Sequence, residues 1–143
     1  MENLKVKIKL IEGGKLPEYK REGDVCLDCY ARCEKPIEIK PKKRALIPLG
    51  FALELPEGYE AVIRPRSGLT KNGLDSGIGT IDTNYRGEVM GCFINNLNDS
   101  IFIENETRIC QLAIREAPHV EWELADELSE TNRGENGFGS SGK

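Results

Sequence analysis

The sequence predicts an all-β protein, a distorted jelly roll or β-barrel with one short helix and a mobile C-terminal tail. Three observations predict it. Short segments rich in β-branched and aromatic residues recur along the chain, turn signals separate them, and a glycine-rich stretch with almost nothing apolar to bury closes it.

The elements follow in order. Residues 5–11 (KVKIKLI) alternate lysine with apolar side chains, the period-two pattern of a half-buried strand. Residues 23–31 (GDVCLDCYA) offer a strand of small residues carrying one carboxylate. Residues 36–39, 44–49, 51–55, 59–65, 87–94, 100–103 and 109–115 each read as a short strand. Between them stand turn signals such as Glu34-Lys35-Pro36, Pro56-Glu57-Gly58, Asn95-Asn96-Leu97-Asn98-Asp99 and Glu104-Asn105-Glu106. After Arg66 the stretch Ser67-Gly68-Leu69-Thr70-Lys71-Asn72-Gly73 predicts a short helix with a glycine stop.

No internal repeat or linker divides the chain. A packed domain over residues 1–131 and a flexible glycine-rich lid over 132–143 is the expected division, because residues 132–143 hold one large apolar side chain, Phe138.

Composition narrows the class. A length of 143 residues suits one domain with a real core. At 38% hydrophobic and 31% charged the chain is neither a disordered polymer nor a membrane protein, and no apolar run nears the roughly 18 residues of a spanning helix. The segment MENLKVKIKL has no continuous apolar stretch, so a cytoplasmic protein is expected, or one of the host cytoplasm or nucleus if the source is viral. The net charge of −4 is a poor start for nucleic-acid binding. Cations are nevertheless concentrated at Arg64, Arg66, Arg86, Arg108 and Arg133, so a small anionic ligand stays possible. The five cysteines are an odd number and favour reduced thiols. Cys26, Cys29 and Cys33 raise a zinc question, but His119, the one histidine, lies far along the chain, and packed small residues near a strand are the better reading.

Five segments carry chemistry. In Arg133-Gly134-Glu135-Asn136-Gly137-Phe138-Gly139-Ser140-Ser141-Gly142, glycines expose backbone N–H groups that form an anion-binding nest, Arg133 can fork onto a phosphate, and Phe138 offers a stacking face. By itself a glycine-rich tail reads first as a flexible glycine-serine terminus, and the spacing of Arg, Phe and Ser is what weighs against that here. Residues 77–88 (GIGTIDTNYRGE) predict a hairpin whose mouth holds a planar base, with Asp82 placed as a general base; an ordinary hairpin with turn-stabilising Asp and Asn fits the same residues. Arg64-Pro65-Arg66-Ser67-Gly68-Leu69 runs into the helix, where Arg66 and Ser67 either bind an anion or Ser67 caps the helix. Arg108-Ile109-Cys110-Gln111-Leu112 is an apolar strand with one amide, whose Gln111 alone says little. Asp28 is the carboxylate of the fifth segment.

Together and in this order the five segments resemble the five motifs of the homotrimeric dUTPase family (deoxyuridine 5'-triphosphate nucleotidohydrolases), from about residue 22 to the end of the chain. RPRSGL, GTIDTNYRGE and RGENGFGSSG are close to the family pattern and RICQL is good. CLDCYA is looser, with cysteines where the family often has Gly and Leu, which leaves the role of Asp28 less defined.

The resemblance implies a β-clip jelly roll assembled as a homotrimer, with three shared active sites at subunit interfaces. Each site takes the Asp82 hairpin from one chain, Ser67 and Gln111 from a second and the tail from a third, the tail closing as a lid. It implies hydrolysis of dUTP to dUMP and pyrophosphate, which limits uracil in DNA and supplies dUMP for dTMP synthesis. Asp82 would activate the water that attacks the α-phosphorus. Mg2+ would bridge the phosphates, with Asp28 holding it through water. Arg66, Ser67, Gly68 and Gln111 would bind phosphates; Arg133 and the backbone of Gly139, Ser140 and Ser141 would bind the γ-phosphate. Phe138 would cover uracil, which would also meet the backbone near Ser76, Gly79, Thr80 and Ile81, with Met90 close by. Tyr85 would pack beneath the deoxyribose and exclude a 2′-hydroxyl. Two alternatives share the fold: a dCTP deaminase, which typically has Pro and Phe where this chain has Thr83, Asn84 and Tyr85, and a regulatory binder of another protein.

Overall fold

The computed structural model describes residues 2–140 and 142. Its elements are β1 (Lys7–Leu10), β2 (Leu27–Tyr30), β3 (Ile37–Ile39), β4 (Arg44–Pro48), β5 (Phe51–Glu54), β6 (Tyr59–Arg64), α1 (Ser67–Lys71), β7 (Leu74–Ser76), β8 (Gly79–Ile81), β9 (Met90–Asn95), β10 (Ile101–Ile103) and β11 (Arg108–Glu116). The pairings are all antiparallel. They form a four-stranded sheet β2–β11–β6–β8, a three-stranded sheet β4–β9–β7, and the pairs β1–β5 and β10–β3. This is the expected β jelly roll with one helix.

The core lies between these sheets. Phe51, Phe93, Ile39, Ile47, Leu49, Ile63, Ile109 and Leu112 are fully buried. Each such side chain stabilises the fold by about 1.5–3 kcal/mol relative to exposure. One polar side chain is as deep: Asn95 donates from Nδ2 to the carbonyls of Ile39 and Asp99, both at 2.8 Å, and its Oδ1 accepts from the Leu97 amide at 2.8 Å. Its carboxamide is thereby matched on both ends, as burial requires.

Two turns explain why glycine stands where it does. Gly50, between β4 and β5, has φ +83°, and a Cβ there would sit 2.5 Å from the Gly14 Cα. Gly73 ends α1 with φ +98° and its N–H on the Thr70 carbonyl at 3.1 Å, the left-handed stop expected after the helix.

Three expectations need correction. β1 is not half-buried: all four residues are exposed, including Ile8 and Leu10, because β1 pairs only with β5 and nothing of its own chain covers its apolar side. Second, the hairpin around Asp82 is not closed by β8 and β9. β9 pairs with β7, a strand that the sequence reading missed, whereas β8 leaves to pair with β6. Third, Ser67 does not cap α1. The N-cap is Arg66, in an extended conformation, with no side-chain cap bond. No helix among the described residues is long and apolar enough to cross a membrane.

The last strand ends at Glu116, well before the boundary expected at residue 131. Residues 118–136 are all exposed, Trp122, Leu124 and Leu128 almost completely.

Candidate active site

β2, β11 and β6 lie side by side, and their register sets Gln111 between Asp28 on one neighbour and Arg64 on the other. Past Arg64 the chain turns through Pro65 into α1. The Gln111 Nε2 donates to the Pro65 carbonyl at 2.9 Å, so the interior amide fixes the entry to Ser67. Arg66 reaches back across the sheet end, its Nη1 donating to the Arg108 carbonyl at 2.9 Å and its Nε 3.8 Å from Asp28 Oδ1. Arg108 Nη1 meets the other oxygen of Asp28 at 3.2 Å. Asp28 is therefore flanked by two guanidiniums.

Arg66, Ser67, Gly68, Asp28, Arg108 and Gln111 line a cleft of about 320 Å³, with Lys20, Arg21 and Asp24 on its wall. Four cations face two carboxylates in a chain of net charge −4. That local excess suits a polyanion. Lys20 is kept charged: the Tyr30 hydroxyl and then Glu18 raise it above the usual lysine range. Arg108 stands among the cations that the sequence singles out, whereas Lys20 and Arg21 do not. The Lys20-Arg21 pair inside a Pro-Gly-bounded loop was the available signal, but only the fold brings it to Asp28.

The second group lies elsewhere. Asp82 follows β8, is exposed, and opens into a cleft of about 640 Å³ with Glu57, Tyr59, Glu60, Thr83, Pro118 and His119. Tyr85 is half exposed, with its hydroxyl donating to the Glu88 carbonyl at 2.9 Å. Its ring lies against Gly87, where a Cβ would come 2.6 Å from the Tyr85 Cζ. Because β8 is the last strand of its sheet, half of its backbone groups face away from β6. Gly79, Thr80 and Ile81 thus present backbone at an open edge, while the Ile81 side chain is buried. Ser76 stands where β7 and β8 part. Its hydroxyl is a buried side-chain polar atom without a hydrogen-bond partner, alone in this among the described residues. Met90, at the start of β9, is half exposed.

The third group is the arm. Arg133 Nε donates to the Asn136 carbonyl at 2.9 Å, and the Ser140 amide to that of Gly137 at 3.0 Å. Phe138, Gly139 and Ser140 share a cleft only with one another, Arg133, Asn136 and Gly137, and Phe138 is wholly exposed. Ser141 lies outside the described residues. One chain therefore brings together Asp28, Arg66, Ser67, Gly68 and Gln111. It keeps Gly79, Thr80, Ile81, Asp82 and Tyr85 on and just after β8 with Ser76 just before it, places Met90 on β9 in the three-stranded sheet, and leaves Arg133, Phe138, Gly139 and Ser140 apart.

The cysteines sit as packing residues. Cys29 and Cys110 are fully buried cross-strand partners on β2 and β11, and all five thiols are free. The Cys110 thiol and burial together push the Cys29 thiol up, away from reactivity.

A cation-lined cleft, an open strand edge and a detached glycine-rich arm on a β jelly roll define a binder of small phosphorylated ligands. Within that class, the dUTPase family model matches residues 12–142, and the chain belongs to the dUTPase family. It is 47% identical to the deoxyuridine 5'-triphosphate nucleotidohydrolase of Orientia tsutsugamushi (strain Boryong), over 97% of this chain and 99% of that one. The enzyme of the same name from Treponema denticola is 46% identical over the same shares. Among solved structures, the Staphylococcus bacteriophage 80alpha dUTPase with dUPNHPP superimposes with a TM-score of 0.89 at 26% identity, over 99% of this chain and 100% of the phage chain.

Proposed function

We propose that this protein is a dUTP diphosphatase that hydrolyses dUTP to dUMP and pyrophosphate. The observation that carries the reading is the cleft in which Gln111 holds the Pro65 turn and Arg66, Ser67 and Gly68 face an excess of positive charge. The relatives' shared name supports dUTP as the substrate.

In this reading Arg66, Ser67, Gly68 and Gln111 hold the phosphates. Asp82 takes a proton from water as the oxygen attacks the α-phosphorus; the α–β bridging P–O bond breaks and pyrophosphate leaves. The open edge of β8 at Gly79, Thr80 and Ile81, with Ser76 and Met90, reads uracil. A fixed backbone pattern rejects cytosine because mismatched groups would stay unpaired. Tyr85 lies under the deoxyribose and leaves no room for a 2′-hydroxyl. Arg133, Phe138, Gly139 and Ser140 close over the triphosphate as a lid.

Mg2+ belongs to this reading as well. Asp28 offers one carboxylate already flanked by Arg66 and Arg108, and no group of three metal-binding side chains gathers among the described residues. Asp28, once phosphates draw Arg66 and Arg108 away, would be the carboxylate that reaches a hydrated Mg2+ through water. The ion would neutralise charge on the phosphate chain.

The site is shared between copies in a homotrimer. The cleft at Ser67 and Gln111 contains neither Asp82 nor any arm residue, so each copy needs groups that another copy supplies. The exposed alternation Val120, Trp122, Leu124 and the uncovered side of β1 offer apolar surface for that contact. A cytoplasmic setting accords with the free thiols.

A pyrophosphate-release assay with dUTP, UTP, dCTP and dTTP, with and without Mg2+, tests the reading. Only dUTP should turn over efficiently. Comparable rates with dCTP or dTTP would overturn it, and ammonia release from dCTP would identify a deaminase.

A further inference from the structure

The Glu88 side chain has no role in the site described above, yet four contacts converge on this residue. Arg32 forks onto its carboxylate, Nε to Oε2 and Nη2 to Oε1, each at 2.7 Å. The Gly50 amide donates to Oε2 at 2.9 Å. The Glu88 carbonyl accepts the Tyr85 hydroxyl at 2.9 Å. The two charged side chains are 29% and 20% exposed, against 84% and 47% for the surface pair Lys7–Glu54. Paired geometry at that depth holds position in a way that an exposed ion pair does not.

The attachment continues on both sides. The Arg32 amide donates to the Pro48 carbonyl at 2.9 Å. The next residue after Glu88, Val89, donates to the Phe51 carbonyl at 2.8 Å and accepts from the Leu49 amide at 2.9 Å. One end of the segment carrying Asp82 and Tyr85 is thus bolted to the β4–β5 turn. The Tyr85 ring, folded against Gly87, takes its position from the carbonyl so fixed.

We propose that Arg32 and Glu88 are positioning residues for sugar discrimination: their forked pair fixes the Glu88 carbonyl that holds Tyr85, so that a ribose is excluded. The inference rests on the reading of Tyr85 as the sugar gate. Neither residue touches reacting atoms, so neither is catalytic.

The test compares Glu88→Gln, Arg32→Lys and Tyr85→Ala with the unaltered protein, using kcat/KM for dUTP and for UTP and a melting curve for each. A glutamine cannot receive both guanidinium arms as a carboxylate does, and a lysine cannot fork. Misplacement of a binding group by a fraction of an ångström should lower the dUTP-to-UTP ratio about fivefold or more in both Glu88→Gln and Arg32→Lys, with the fold retained. Equal losses for both substrates, leaving the ratio within about twofold of the unaltered protein, would overturn the clamp. Failure of both variants to fold would overturn it too, by making the pair structural. If Tyr85→Ala keeps the ratio, the sugar gate itself falls and takes the clamp with it. If Tyr85→Ala loses the ratio while the clamp variants keep it, only the clamp falls.

Discussion

Asp82 and Gln111 stand toward opposite ends of β6. Gln111 lies beside Arg64, whereas Ile81, the residue before Asp82, pairs with Ala61, so about 10 Å of strand already separates Gln111 from Ile81 and Asp82 lies beyond it. The clefts around them have no lining residue in common. In the proposed homotrimer the two groups would come from different copies. Asp82→Asn should fold and bind dUTP but lose about 10²–10⁴-fold in turnover. Arg66→Ala should be weak for loss of phosphate binding. Equimolar mixing of the two variants under conditions that exchange subunits should restore about one quarter of normal activity, because that share of sites draws both intact halves. No recovery in verified mixed oligomers would mean that each chain builds its own site.

Asn95→Ala should be the costliest polar substitution in the body. It would leave the Ile39 carbonyl without its Asn95 partner and the Leu97 amide without Oδ1. An unsatisfied buried group costs about 1–3 kcal/mol, and a lost side chain adds a cavity. Chemical denaturation should show a drop of about 2–4 kcal/mol with dUTP kinetics little changed at temperatures where the variant is folded. A drop below 1 kcal/mol, about the net worth of one ordinary hydrogen bond, would show that water replaces the carboxamide.

How much of this was legible in the sequence depends on the range of the interaction. The β-rich segments, the helix after Arg66 and its glycine stop are local, and they fall where turn chemistry and period two place them. Asn95 shows the limit: it reads as the first residue of an Asn-rich turn, and only its pairing with Leu74 on β7 and its hydrogen bond to the Ile39 carbonyl make it a core residue. β7 is three residues with a central Asp75, too short and polar for periodicity to find, and it exists through its ladder to β9. Asp28 with Arg108 and Arg32 with Glu88 join distant segments, and no local pattern announces such partners. The chemistry-bearing residues were readable as types in motifs and the resemblance implied their three-way division, whereas the cleft that joins Asp28, Arg66 and Gln111 follows from the pairing of β2, β11 and β6.

Acid should weaken the protein through Glu88. The Arg32 guanidinium, helped by the Gly50 amide and opposed by burial, holds its carboxyl below the usual range. A depressed folded-state pKa stabilises the fold above the unfolded value, near pH 4.3, and that contribution is lost as the pH falls through the folded value. Melting temperature measured from pH 6 down to pH 3 should therefore fall more steeply for the unaltered protein than for Glu88→Gln, which has nothing there to titrate. Parallel acid limbs would assign the loss to other carboxylates.

Removal of residues 133–143 separates the arm's chemistry from the stability of the body. Arg133 and Ser140 donate to Asn136 and Gly137 inside the arm, the Gly134 amide reaches only the neighbouring exposed Thr131, and Phe138 is wholly exposed. Deleting surface that is exposed in the chain should leave the melting temperature within about 2 °C of the full-length value, since little buried area is lost. Turnover of dUTP should nevertheless fall by about 10²-fold or more, because the lid groups that hold and enclose the triphosphate are gone. The pair of measurements discriminates: a large fall in melting temperature or dissociation of the oligomer would make the arm a structural strap, and unchanged turnover would remove Arg133 and Phe138 from the site.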